Sequence, residues 1–135
     1  MLNTGGTPVP PVDLLTIDYG LNDLRVGLDA ARAAWLQMSQ FCADLDIPVV
    51  FLTPTWDDSY FTRNRDERWT QILAHTAQIR ALADECGALL CDSFAAWERA
   101  VNSGTPLESL LSQSNHPNEA GHAIVAKELF KTIKN

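Results

Sequence analysis

The residues with chemistry to offer fall in two short stretches. One is Asn115-His116-Pro117-Asn118-Glu119-Ala120-Gly121-His122, close to the end of a 135-residue chain. His116 stands in the connection ahead of a helical pattern, with Pro117 stiffening the backbone beside it and Asn118 placed to cap the helix. An imidazole held in this way can serve as a general base near neutral pH. The other stretch is Gly20-Leu21-Asn22-Asp23, directly after an apolar, β-branched run. Glycine there allows a sharp turn, and the Asn22 amide is a neutral N–H donor suited to a developing oxyanion. Either stretch alone has an ordinary reading. Gly, Asn and Asp are common turn residues, and an isolated histidine is usually a hydrogen-bonded bystander, as expected for His75 in mid-helix and His122 one turn into the last helix.

Both stretches need a scaffold, and the hydrophobic pattern supplies one. Residues 12–19 (Val-Asp-Leu-Leu-Thr-Ile-Asp-Tyr) read as a strand whose near-continuous apolar pattern suits a sheet covered on both faces. From Leu28 to Leu45, apolar residues at Leu28, Ala31, Trp35, Met38, Cys42 and Leu45 step by three and four, the spacing of a helix face. Pro48 predicts its end. Val49 to Leu52 reads as a second buried strand. A polar and aromatic loop over residues 55–67 follows, then a helix over 68–85 with Ile72, Ile79, Leu82 and Ala83 inward and Gly87 as its C-terminal cap. Residues 88–91 form a third strand, residues around Phe94 and Trp97 an amphipathic segment, and residues 118–134 a last helix with Ile124, Val125, Leu129 and Ile133 available for packing. Strict alternation of strand and helix predicts an α/β fold with a parallel sheet. In such sheets ligands bind beyond the carboxyl ends of the strands, where Gly20 to Asp23, Thr53 to Tyr60 and the loop before the last helix all lie.

Composition narrows the function. Seventeen Asp and Glu against ten Lys and Arg give a net charge of −7, which disfavours nucleic acid and anionic membrane surfaces as partners. Hydrophobic residues make up 46% of the chain, enough for a core, and no apolar run approaches the roughly 20 residues of a membrane span. The first eleven residues, rich in Gly, Pro and Thr, read as a flexible lead-in without the features of a signal peptide. Cys42, Cys86 and Cys91 form no C-x-x-C pair and read as reduced thiols, so neither a metal site nor a cofactor is expected. The chain as it stands suits the cytoplasm, with secretion open if an upstream signal precedes it.

Taken together, G-x-N-D after an early buried strand and H-P-N-x-x-G-H at the C-terminal helix resemble two signature blocks of the SGNH (GDSL-type) hydrolases, over about Val12 to the C-terminus. The resemblance implies a single three-layer α/β/α domain with a flavodoxin-like parallel sheet. It makes Asn22 an oxyanion donor, Gly20 and Asp23 its backbone support, and His116 the base that activates a serine. Trp56 and Tyr60, in the loop flanking the cleft, either contact substrate or pack that loop down.

Two features depart from the family pattern. No Gly-Asp-Ser occurs, and the seven serines are Ser39, Ser59, Ser93, Ser103, Ser109, Ser112 and Ser114. Ser93 follows Asp92 after a strand but reads as structural, while Ser112 and Ser114 precede His116 too closely to be its partners. Gln113 also stands where the family usually has an aspartate three residues before the histidine. Glutamine can orient an imidazole by hydrogen bonding but cannot stabilise an imidazolium by charge.

In the family's 2-1-3-4-5 strand order, the strand at 12–19 is the third, so the expectation is a domain truncated to about three strands. Its open Val12–Tyr19 edge would recruit a second copy or a complementing N-terminal fragment. The function expected is carboxylic ester hydrolysis, of acetyl or other small polar esters including those of carbohydrates, incomplete in this chain alone. The competing expectation is a non-catalytic binding or assembly module. An unrelated phosphate-binding flavodoxin-like domain would need a glycine-rich loop that is absent.

Overall fold

The structure, a computed structural model, describes residues 11–134; the reading of residues 1–10 as a lead-in lies outside it. Its organising strand is β2 (Val49–Leu52), buried at all four positions. β2 pairs in parallel with β1 (Leu15–Ile17) on one side and β3 (Leu89–Cys91) on the other. A central strand meets packing on both faces, which explains its unbroken Val-Val-Phe-Leu. β1 is shorter than the 12–19 expected. Among the described residues it has a ladder partner on one side only, and Asp18 and Tyr19 turn to solvent beyond it. Among the described residues that edge is unpaired, and it is three residues long rather than eight.

Four helices cover the sheet. α1 (Leu28–Asp44) and α2 (Arg68–Cys86) pack on one face, where Trp35, Cys42, Ile79, Leu82 and Ala83 meet Ile17, Val49 and Phe51. Trp35 meets Phe51 edge-on, with ring centroids 5.0 Å apart. The alternate residues Val50 and Leu52, with Cys91, face the other layer and α4 (Glu119–Lys134) through Val125 and Leu129. α3 (Ser93–Asn102) lies beside α4 and was legible only as an amphipathic segment. The result is the α/β/α layering expected. Of the packing residues assigned to α4, Ile133 is instead largely exposed, as is Phe130.

The helix ends have local causes. α1 stops before Pro48 is reached: Asp46 takes a left-handed conformation (φ 56°), and the Ile47 N–H returns to the Cys42 carbonyl at 2.8 Å. This is a Schellman closure with aspartate in the usual glycine position. Gly87 closes α2 with φ 66°, as its position predicts.

A third hydrophobic cluster lies apart from the sheet faces. Trp56, Trp69, Ile72, Phe94, Trp97, Leu107 and Leu110 form it, and Leu21, Leu24 and Leu111 pack against it. Leu21 and Leu24 flank the Asn22 turn, while Leu111 begins a small antiparallel hairpin that the sequence did not reveal, β4 (Leu111–Gln113) and β5 (His116–Pro117). Two segments nearly a hundred residues apart thus rest on one aromatic platform.

Candidate active site

Asn22 begins a short 3-10 turn, Asn22–Arg25, immediately beyond β1. Gly20 is buried because Pro54 lies against it: a Cβ there would come within 2.9 Å of the proline Cδ. Its role is close approach, with no left-handed backbone involved. Asp23 anchors the turn twice. Its backbone N–H donates to the Tyr19 carbonyl at 2.8 Å, and its carboxylate accepts the Trp35 indole N–H at 2.6 Å. The Asn22 amide makes no side-chain hydrogen bond among the described residues, so its N–H groups remain available.

His116 lies within β5, so it is part of the hairpin instead of an irregular connection. Its backbone pairs with Gln113 across the hairpin. Asn118 fixes the following step. Its N–H donates to the Leu110 carbonyl at 2.9 Å, its side-chain N–H to the Ser109 carbonyl at 2.8 Å, and its side-chain oxygen accepts the Gly121 N–H at 3.0 Å. This is N-capping as expected, extended into a clamp on the preceding turn. Gly121 is buried where a Cβ would strike the Leu110 carbonyl oxygen and come within 2.8 Å of Trp97. The glycine of the H-P-N-x-x-G-H segment therefore lets α4 close onto the hairpin that carries His116.

Asn22 and His116 line one cavity of about 220 Å³, together with Leu21, Arg25, Arg68 and Asn115. An imidazole and an uncommitted amide donor facing one space are two of the components of acyl transfer. Gln113 is exposed, and among the described residues its side chain makes no hydrogen bond to the imidazole. Ser112 Oγ donates to the His116 carbonyl at 3.1 Å, and the Ser114 carbonyl accepts the Asp58 N–H at 3.0 Å. Ser93 is buried beside Cys91 at the start of α3, and no serine lines the cavity.

Trp56 and Tyr60 pack in the aromatic cluster. Trp56 is buried between Tyr60, Trp69 and Phe94, with ring centroids 4.7, 4.9 and 5.5 Å away. Tyr60 is half-buried under Arg63, whose guanidinium carbon lies 4.0 Å from the ring centroid. Neither lines the cavity.

Three residues that line these clefts were not assigned there from the sequence. Arg25 and Arg68 had no motif to mark them. His122, read as an ordinary helix residue, lines a second cleft with Asp18, Pro54 and Thr55 that adjoins the first at Leu21 and Asn22. Loss of hydration pushes the Asp18 carboxyl up, with nearby His122 opposing, although one side of Asp18 stays open to solvent. Among the described residues no group of three His, Cys, Asp or Glu could hold a metal, and no helix is long and apolar enough to cross a membrane.

The sequence matches the GDSL-like lipase/acylhydrolase family over residues 4–124. The chain belongs to that family. No curated protein matches it. Among solved structures it is similar to Axe2, an acetylxylan esterase from Geobacillus stearothermophilus. A catalytic variant of Axe2 matches at TM-score 0.78 with 21% identity, over 91% of this chain and 60% of that one. Another Axe2 variant, described as an acetyl-xylooligosaccharide esterase, matches at TM-score 0.72 with 19% identity, over 90% and 58% of the two chains. LAE5, an alpha/beta hydrolase from the metagenome of Lake Arreo, Spain, matches at TM-score 0.67 with 20% identity, over 90% and 60%. This GDSL-family chain therefore spans about three-fifths of the length of these structures, and at such identities the likeness concerns the fold.

Proposed function

We propose that the chain carries the base and oxyanion side of a carboxylic ester hydrolase acting on small polar esters, acetyl esters of carbohydrates among them. His116 takes the proton of a serine hydroxyl as it attacks the ester carbonyl, and the Asn22 amide donates to the oxyanion that forms. The imidazolium then returns the proton to the leaving alcohol. The observation that carries this reading is the meeting of Asn22 and His116 on one cavity. The family adds acyl-ester chemistry, and the acetylxylan esterase neighbours add the substrate class.

With no serine on the cavity, the nucleophile comes from a polypeptide segment that adds to the open β1 edge. An unpaired strand edge presents the backbone groups such a segment needs. The test is hydrolysis of 4-nitrophenyl acetate by the chain alone and with a strand–turn–helix polypeptide bearing Gly-Asp-Ser supplied in trans. Turnover is expected only in the second case, with His116→Ala abolishing it and Asn22→Ala lowering it by about 10²–10³-fold. Turnover by the chain alone that survives His116→Ala would overturn the proposal, as would an inert but folded complex.

The second reading, a non-catalytic module of the same family, is favoured by Gln113, which brings no charge to the imidazole. Ester binding without turnover in the complemented complex would select it.

A further inference from the structure

The cavity that holds Asn22 and His116 is also lined by two guanidinium groups, in a chain of net charge −7. Arg68 is held from behind. Its Nε donates to Asp57 Oδ2 at 2.7 Å, and Asp57 is fully buried, its other oxygen accepting the Ser59 N–H at 2.9 Å and the Ser59 hydroxyl. That pair tethers the guanidinium while using one of its three nitrogens. The two terminal nitrogens make no hydrogen bond among the described residues. Arg25, at the end of the Asn22 turn, enters no ion pair among them. Asp57 offsets the charge of Arg68, and Arg25 adds a second guanidinium to a lining that contains no carboxylate. Asn115 adds a further neutral donor on the same wall.

We propose that this cavity selects esters carrying a carboxylate near the scissile bond, with Arg25 and Arg68 as the specificity-determining residues. A planar guanidinium fork matches a carboxylate in two parallel N–H···O bonds. A guanidinium oriented by a buried partner loses little side-chain freedom on binding. The overall acidity of the chain makes the preference local: the global field repels anions, while short charge-assisted bonds inside the cavity outweigh it. The inference deepens the esterase reading and rests on it for the word ester, but the anion preference is measurable without turnover.

The experiment compares two near-isosteric esters, mono-methyl succinate and uncharged methyl levulinate, by NMR titration of the full chain. The charged ester is expected to bind about tenfold more tightly, moving the resonances of Arg25, Arg68 and Asn115. Added salt should shrink the difference. Arg25→Gln should remove most of the preference. Arg68→Gln should do the same, and if loss of the Asp57 partner unfolds it, Arg25→Gln carries the test alone. Equal affinities, no detectable binding of either ester, or a preference that survives Arg25→Gln would overturn the inference. Failure of ester hydrolysis with the carboxylate preference intact would overturn the esterase reading and leave the anion site standing.

Discussion

Trp35 donates its indole N–H to the Asp23 carboxylate at 2.6 Å, joining the buried face of α1 to the turn that presents Asn22. The aspartate of Gly20-Leu21-Asn22-Asp23 thereby has a structural partner. It anchors the turn, and the neighbouring Asn22 amide makes no side-chain hydrogen bond among the described residues.

Asp23→Ala leaves a buried indole N–H without an acceptor and should cost about 1–3 kcal/mol in urea unfolding. Asp23→Asn keeps an acceptor oxygen and should cost less. In the complemented complex Asp23→Ala should also lower esterase turnover at nearly unchanged KM, because it disturbs the Asn22 donor. Equal stability of the alanine and wild-type chains would show that the bond contributes nothing.

Gly121→Ala places a methyl group against the Leu110 carbonyl oxygen and the Trp97 ring. Overpacking of this kind costs about 1–3 kcal/mol, and α4 must shift away from the His116 hairpin to relieve it. Thermal unfolding should register the loss, and amide resonances of residues 111–118 should move. A fully wild-type spectrum in that segment would contradict the close packing.

Trp56→Ala distinguishes packing from substrate contact. Removal of a buried indole from the platform of Trp69 and Phe94 should destabilise by about 3–5 kcal/mol. Trp56→Phe should retain most of the stability and bind small esters as the wild type does. Loss of ester affinity in a fully stable Trp56→Phe chain would return this residue to the substrate site.

Stability should fall on acidification in two stages. Burial holds the His75 imidazole below its ordinary value, with Asp23 opposing. The unfolded chain therefore takes up that proton first, and stability declines as pH drops below the ordinary histidine value of about 6.5 and on through the depressed folded one. Burial would raise Asp92, but its bonds from Arg80, the Ala95 N–H and Thr53 outweigh that and hold it below the ordinary carboxylate range. Its contribution is full above that range and is lost as pH falls through the folded value. Urea midpoints measured from about pH 7.5 to 5.5 should decline in the wild type and decline less in His75→Leu. A pH-independent midpoint across that interval would refute the first stage.

The sequence by itself determined the alternating strands and helices, the parallel sheet, the buried run of β2, the Asn118 cap and the Gly87 stop. Each follows from periodicity or backbone chemistry within a few residues, where local forces suffice. It also carried the family blocks around Asn22 and His116, because their residue types are tied to short, fixed spacings. Tertiary structure decided what those blocks share. Leu21 and Leu24 from one segment and Leu111 from the other pack against a single buried cluster that includes Trp56, Trp69, Phe94 and Trp97, and that burial brings the amide and imidazole to one cavity. It also turned Trp56 inward and brought Arg25 and Arg68 together from separate elements. Such placements depend on contacts between different elements, and no local pattern records which partner from another element a side chain will meet.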